Sequence, residues 1–124
     1  MKTLQYKLTA TALLLAVSTS IQAFTINLDY SLDTNGFFSS RRDVMGAAAG
    51  FFESRITDDL LAITSSGNNH MTATFFNPAT GDIDSIDDFS VGTDTITVFV
   101  GGRELGGSTL GVGGYGGWSA SGSS

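Results

Sequence analysis

One stretch constrains the rest of the chain: residues 40–56, SRRDVMGAAAGFFESRI, the only long helical pattern after the first 23 residues. Val44, Met45, Ala48, Ala49, Phe51, Phe52 and Ile56 recur at three- and four-residue spacing, which gathers them on one face of a 3.6-residue helix. Asp43, Gly46, Gly50, Glu53 and Ser54 fall on the other side. Ser40 with Asp43 three residues on is an acceptable capping box and sets a carboxylate against the helix N-terminus. Such a helix cannot bury its face alone, so the β-patterned chain around it must supply the cover. The expected fold is α+β: one long amphipathic helix packed on a small, mostly antiparallel sheet.

The strands of that sheet are read from period. Residues 24–30, FTINLDY, alternate apolar and polar, as a half-buried strand does. Residues 31–39 carry turn formers, Asn35-Gly36 above all, and Phe37 and Phe38 stand where they can staple the first helical turn. Residues 60–64 form a short apolar run suited to a buried strand, after Asp58 and Asp59, either of which can pair with Arg55. Residues 70–76, HMTATFF, alternate again, and residues 77–81, NPATG, supply the turn of a hairpin into residues 82–86. Residues 94–100, DTITVFV, are β-branched and aromatic, with Ile96, Val98 and Val100 on one side, and read as a central strand. Residues 101–124 then become rich in glycine and serine, without a regular period and without a closing strand or helix.

The first 23 residues read as a secretory signal peptide. Lys2 and Lys7 precede an apolar core, residues 8–17, that is too short to span a bilayer, and Ile21-Gln22-Ala23 suits a cleavage site. The chain thus divides into a signal peptide (1–23), a helix-plus-sheet part (24–100) and a glycine- and serine-rich loop or truncated end (101–124). The expected location is secreted, extracellular or periplasmic, with no stable membrane span once the signal is cut. Loss of Lys2 and Lys7 takes the formal charge from −6 to −8, which argues against nucleic acid or an anionic membrane as partner. The chain has no cysteine, so neither a disulfide nor a thiolate nucleophile nor a cysteine-type zinc site is possible.

Catalytic and metal-binding patterns are sparse. His70 is the sole histidine, whereas an HExxH zinc site needs two on one helix face and a glutamate between them. A serine–histidine–aspartate triad would have to use the same histidine, without a nucleophile elbow. Asp82, Asp84, Asp87 and Asp88 cluster as calcium ligands do, but Ile86 and Asp87 break the EF-hand spacing. Residues 31–36 miss the same pattern at their first position, Ser31, and at the twelfth, Arg42. Residues 111–116 spell GxGxxG, yet no helix pattern follows to receive a pyrophosphate. Each of these reads better as strand, solvated turn or loop than as a site.

Three stretches together resemble the N-terminal part of a family of secreted bacterial zinc metallopeptidases of the zincin (HExxH) type. They are FTINLDYSLDTNGFF (24–38), RRDVMGAAAGFFESRITDDL (41–60) and DTITVFVGGRELGGSTLGVGG (94–114), and the likeness extends to about Trp118. The resemblance implies a first long helix on a twisted sheet, a glycine-rich loop leaving a central strand, and an HExxH helix later. That helix and the remaining zinc ligand have no counterpart before Ser124. No catalytic residue, cofactor-binding residue or metal ligand is therefore carried onto any position here, and zinc and a peptide substrate are expected only of a full-length relative. The reading is a truncated or N-terminal portion of an exported zinc metallopeptidase, inactive alone. The alternative is a small exported surface, adhesive or self-assembling protein without enzymatic activity.

Overall fold

The computed structural model describes residues 23–122. The predicted signal peptide lies outside them except for Ala23. In chain order the elements are β1 (Thr25–Asp29), α1 (Arg42–Glu53), β2 (His70–Phe76), β3 (Ile83–Ile86), β4 (Thr95–Phe99) and β5 (Gly117–Ser121). No helix among the described residues is long and apolar enough to cross a membrane.

The strands make two sheets. β1 and β4 pair in parallel, with Thr25 opposite Thr95 and Asp29 opposite Phe99. The helix between them belongs to the crossover that a parallel pair requires. β2 is the centre of a three-stranded antiparallel sheet in the order β3-β2-β5. The β2–β3 hairpin closes as its turn residues dictate: the Asn77 N–H donates to the Asp82 carbonyl (2.8 Å) and the Gly81 N–H to the Asn77 carbonyl (2.7 Å). The sheets meet through a ring stack of Phe75 on Phe99, with centroids 4.0 Å apart, flanked by Phe89.

This architecture corrects the expected fold. The described residues form a small, mostly β domain with two sheets and one 12-residue helix, not one long amphipathic helix laid on a single sheet. The helix starts later than predicted because no capping box forms: Arg41 takes the N-cap position without a side-chain bond. The nearby Ser39 hydroxyl donates to the Gly36 carbonyl instead. It stops earlier because Ser54 and Arg55 cap it. The Ser54 hydroxyl and the Arg55 guanidinium both donate to the Phe51 carbonyl, and the Arg55 N–H reaches the Phe52 carbonyl in a tightened last turn. Arg55 therefore lies over the Phe51 ring, 3.4 Å from its centroid, rather than pairing with Asp58 or Asp59.

The helix face behaves unexpectedly too. Only Ala49 is buried, while Val44 is 71% and Phe52 56% exposed. Residues 60–64 form no strand; Ile63 makes a single bridge to Val91, and Leu61 is 87% exposed. The strand expected to be central, β4, has only β1 beside it. Conversely, the tail expected to hold no strand contains β5, which pairs with β2 from Gly117 opposite Thr74 to Ser121 opposite His70. Among the described residues the buried apolar positions are Phe24, Ala49 and Val100, and no large side chain is fully enclosed.

Candidate functional site

A cleft of about 740 Å³ lies below the glycine-rich segment, between the start of α1, the β2–β3 turn and β4. Phe37, Phe38, Met45, Phe76, Pro78 and Val98 give it an apolar lining. Its wall is fixed by Asp33, which lies in one of the two sequences that miss the calcium pattern. One Asp33 carboxylate oxygen accepts the Phe38 N–H (2.8 Å) and the other the Gly102 N–H (3.2 Å). The Asn35 amide adds a bond to the Gly102 carbonyl (3.2 Å). Gly101 and Gly102 are small because they must be: a Cβ on Gly101 would come within 3.1 Å of the Leu32 carbonyl and the Pro78 ring, and one on Gly102 would strike Phe37. Asp33 therefore ties the approach to α1 to the exit of β4.

A second cleft of about 700 Å³ lies at the opposite end of α1, lined by Phe24, Glu53, Ile56, Asp58, Leu60 and Asp94 among others. Among the described residues Asp94 is the buried polar one. It holds a left-handed backbone, φ 49°, and accepts the Leu60 N–H on its carboxylate (2.8 Å). Its own N–H donates to the Leu60 carbonyl (2.9 Å), and its carbonyl accepts the Thr25 N–H (2.7 Å). One residue thus joins the starts of β1 and β4 to the segment after the helix. Glu53 helps from the other side by accepting the Ile26 N–H (2.7 Å).

The residues weighed from sequence are dispersed by the fold. His70 Nδ1 lies 2.5 Å from Asp88 Oδ1, in an exposed pair at the start of β2. Asp87 accepts the Thr72 hydroxyl (2.8 Å), and Asp84 accepts the Asn77 amide (3.0 Å) and the Ser85 N–H. The carboxylates of Asp84, Asp87 and Asp88 are thus each engaged by a separate neighbour on or beside β2 and β3. Among the described residues no three histidine, cysteine or acidic side chains converge as a metal site, so zinc of the kind the resemblance implies has no fitting donor set in them. Residues 111–116 lead into β5 rather than into a helix. The first cleft offers mainly apolar surface, whereas the second mixes apolar side chains with the carboxylates of Glu53, Asp58, Asp59 and Asp94. In comparisons with known proteins, no family model, curated protein or solved structure matches this chain.

Sequence reasoning passed over Asp33 and Asp94. Asp33 stands two residues before Asn35-Gly36, a signal for a turn but not for its distant partner. Asp94 stands two residues after Gly92, and nothing local distinguishes it from the surface aspartates.

Proposed function

We propose that this chain is the N-terminal, non-catalytic portion of an exported zincin-like zinc metallopeptidase, forming part of the scaffold against which a catalytic helix would pack. The observation that carries this reading is the amount of apolar surface left uncovered around a well-formed backbone framework. Val44, Phe51 and Phe52 on α1, Leu61 beyond it, and Leu110 and Val112 over the larger cleft all remain exposed. Enclosing one such side chain stabilises a fold by about 1.5–3 kcal/mol, so leaving this many uncovered forgoes a stabilisation comparable to that of a whole domain. The Tyr30 hydroxyl points the same way: it is shielded from solvent and has no hydrogen-bond partner among the described residues. The parallel β1–β4 pair adds a third argument, since parallel strands belong in sheets covered on both faces. Further polypeptide bearing an HExxH helix would supply both the cover and the zinc ligands absent from the described residues.

The test is to capture the protein from the cells that make it with an antibody against residues 24–122, then measure its length and metal content. The expected species is longer than 124 residues, contains zinc and loses peptidase activity to a chelator. A zinc-free species of 124 residues or fewer would overturn the proposal.

A further inference from the structure

We infer that β5 is the edge along which two copies of this chain join, antiparallel, into one continuous sheet. The inference does not depend on the metallopeptidase reading. An edge strand presents a row of unpaired main-chain N–H and C=O groups, and proteins block such edges with charge, proline or covering chain. Of the four sheet edges among the described residues, three are bonded, charged or recessed in a cleft. The outward Ile26 N–H of β1 is taken by Glu53. β4 borders the larger cleft, where the segment that follows is tied to Asp33 and Asn35. β3 is four residues long, contains Asp84, and is flanked by Asp82, Asp87 and Asp88. β5, GWSAS, has neither charge nor proline, and all of its residues are exposed.

The direction of its free groups follows from β2. Met71 turns its N–H to Ser65 and its C=O to Phe89, toward the β3 side. By alternation Thr72 turns toward β5, and its partner Ser119 turns back toward Thr72. The main-chain groups of Trp118 and Ala120 therefore point outward.

A two-fold axis through Ser119 then makes the edge self-complementary. Trp118 of each copy exchanges both main-chain bonds with Ala120 of the other. Its side chain, 73% exposed in the single chain, lies beside a small residue rather than another indole. Ser119 faces the second copy's Ser119 as a non-hydrogen-bonded pair, with Cα atoms about 4.5 Å apart. No like charges meet. The result would be a six-stranded sheet made from two three-stranded ones.

The register is open to a direct test, because the chain has no cysteine. Ser119→Cys puts one thiol opposite its own copy at a separation a disulfide tolerates, whereas Ala120→Cys faces the second copy's Trp118. Sedimentation equilibrium of the purified protein, in the form its cells produce, is expected to rise from monomer toward dimer mass between about 1 and about 300 µM, as befits a small interface. Under oxidised glutathione, Ser119→Cys is expected to cross-link at least about tenfold faster than Ala120→Cys, since only the first brings like positions together. Ser119→Lys sets two cations opposite each other and is expected to keep the monomer mass. Monomer mass at every concentration would overturn the inference. So would equal cross-linking of the two cysteine variants, or a dimer indifferent to Ser119→Lys. The near-isosteric Ser119→Cys keeps the test valid even where the lysine variant disturbs β5.

Discussion

Replacing Asp94 tests how the described framework is held. Asp94→Ala removes the carboxylate that accepts the Leu60 N–H and leaves alanine at a φ of 49°. A hydrogen bond to a charged group contributes about 1.5–3 kcal/mol, and the lower figure applies because this bond is only partly buried. A left-handed conformation costs an ordinary residue about 1–2 kcal/mol, which glycine escapes and asparagine pays only in part. Because aspartate already pays part of that conformational cost, the combined loss for Asp94→Ala is about 2–3 kcal/mol. At about 1.4 kcal/mol per factor of ten, that is roughly a 30- to 150-fold faster exchange of protected amides. Asp94→Gly, which keeps only the conformational freedom, is expected to fall near tenfold. Asp94→Asn, which keeps an acceptor and tolerates the backbone, is expected to stay within about fivefold. The assay is amide hydrogen exchange followed by NMR at Leu60, Thr25 and Asp94. If Asp94→Asn proved as damaging as Asp94→Ala, or if the alanine variant left these amides unchanged, the assigned role of Asp94 would be wrong.

Other outcomes follow from the same geometry. The chain of residues 24–124 alone is expected to bind a dye specific for exposed apolar surface and to unfold in urea without a sharp transition, because few side chains are enclosed; tight cooperative unfolding without dye binding would contradict this. Gly116→Ala directs a Cβ to within 2.8 Å of the Thr74 carbonyl and is expected to weaken cross-strand NOEs between β5 and β2. Gly111→Ala, whose Cβ meets nothing within 4 Å, is expected to leave them intact. A double-mutant cycle on Phe75 and Phe99, read from exchange of amides in β2 and β4, is expected to give a coupling of about 0.5–1.5 kcal/mol. Zinc is expected to change the exchange of the His70 region by less than about twofold, since His70 has one carboxylate beside it and a zinc site needs three or four ligands.

The legible parts of the fold are those whose cause is local. HMTATFF alternates, and β2 spans those same residues. The Asn77 to Gly81 turn chemistry sets the hairpin, and the β-branched run before Val100 becomes β4. What escaped has its cause elsewhere in the chain. GWSAS carries no β-branched residue and becomes a strand because β2 offers it an edge. The parallel partnership of β1 and β4 has no local signature. The helical period of residues 40–56 was real, but period does not state where the caps form, and Ser54 and Arg55 end the helix before Ile56. In the candidate clefts, the lining phenylalanines were visible as apolar residues. The long-range ties from Asp33 to Gly102 and from Asp94 to Leu60 were not, because a carboxylate's distant partner leaves no mark beside it.

The parallel pair also sets an order in time. Thr25 meets Thr95 only after roughly 70 intervening residues have been made, and closing so large a loop brings no reward until β4 arrives. The β2–β3 hairpin, by contrast, can form in about 1–10 µs once its turn exists. β1 is therefore the first of the described strands to emerge, and it waits through the longest stretch of chain for its neighbour. Until β4 has been made β1 waits unpaired, and closing that long loop is a slower step than forming the hairpin or the helix.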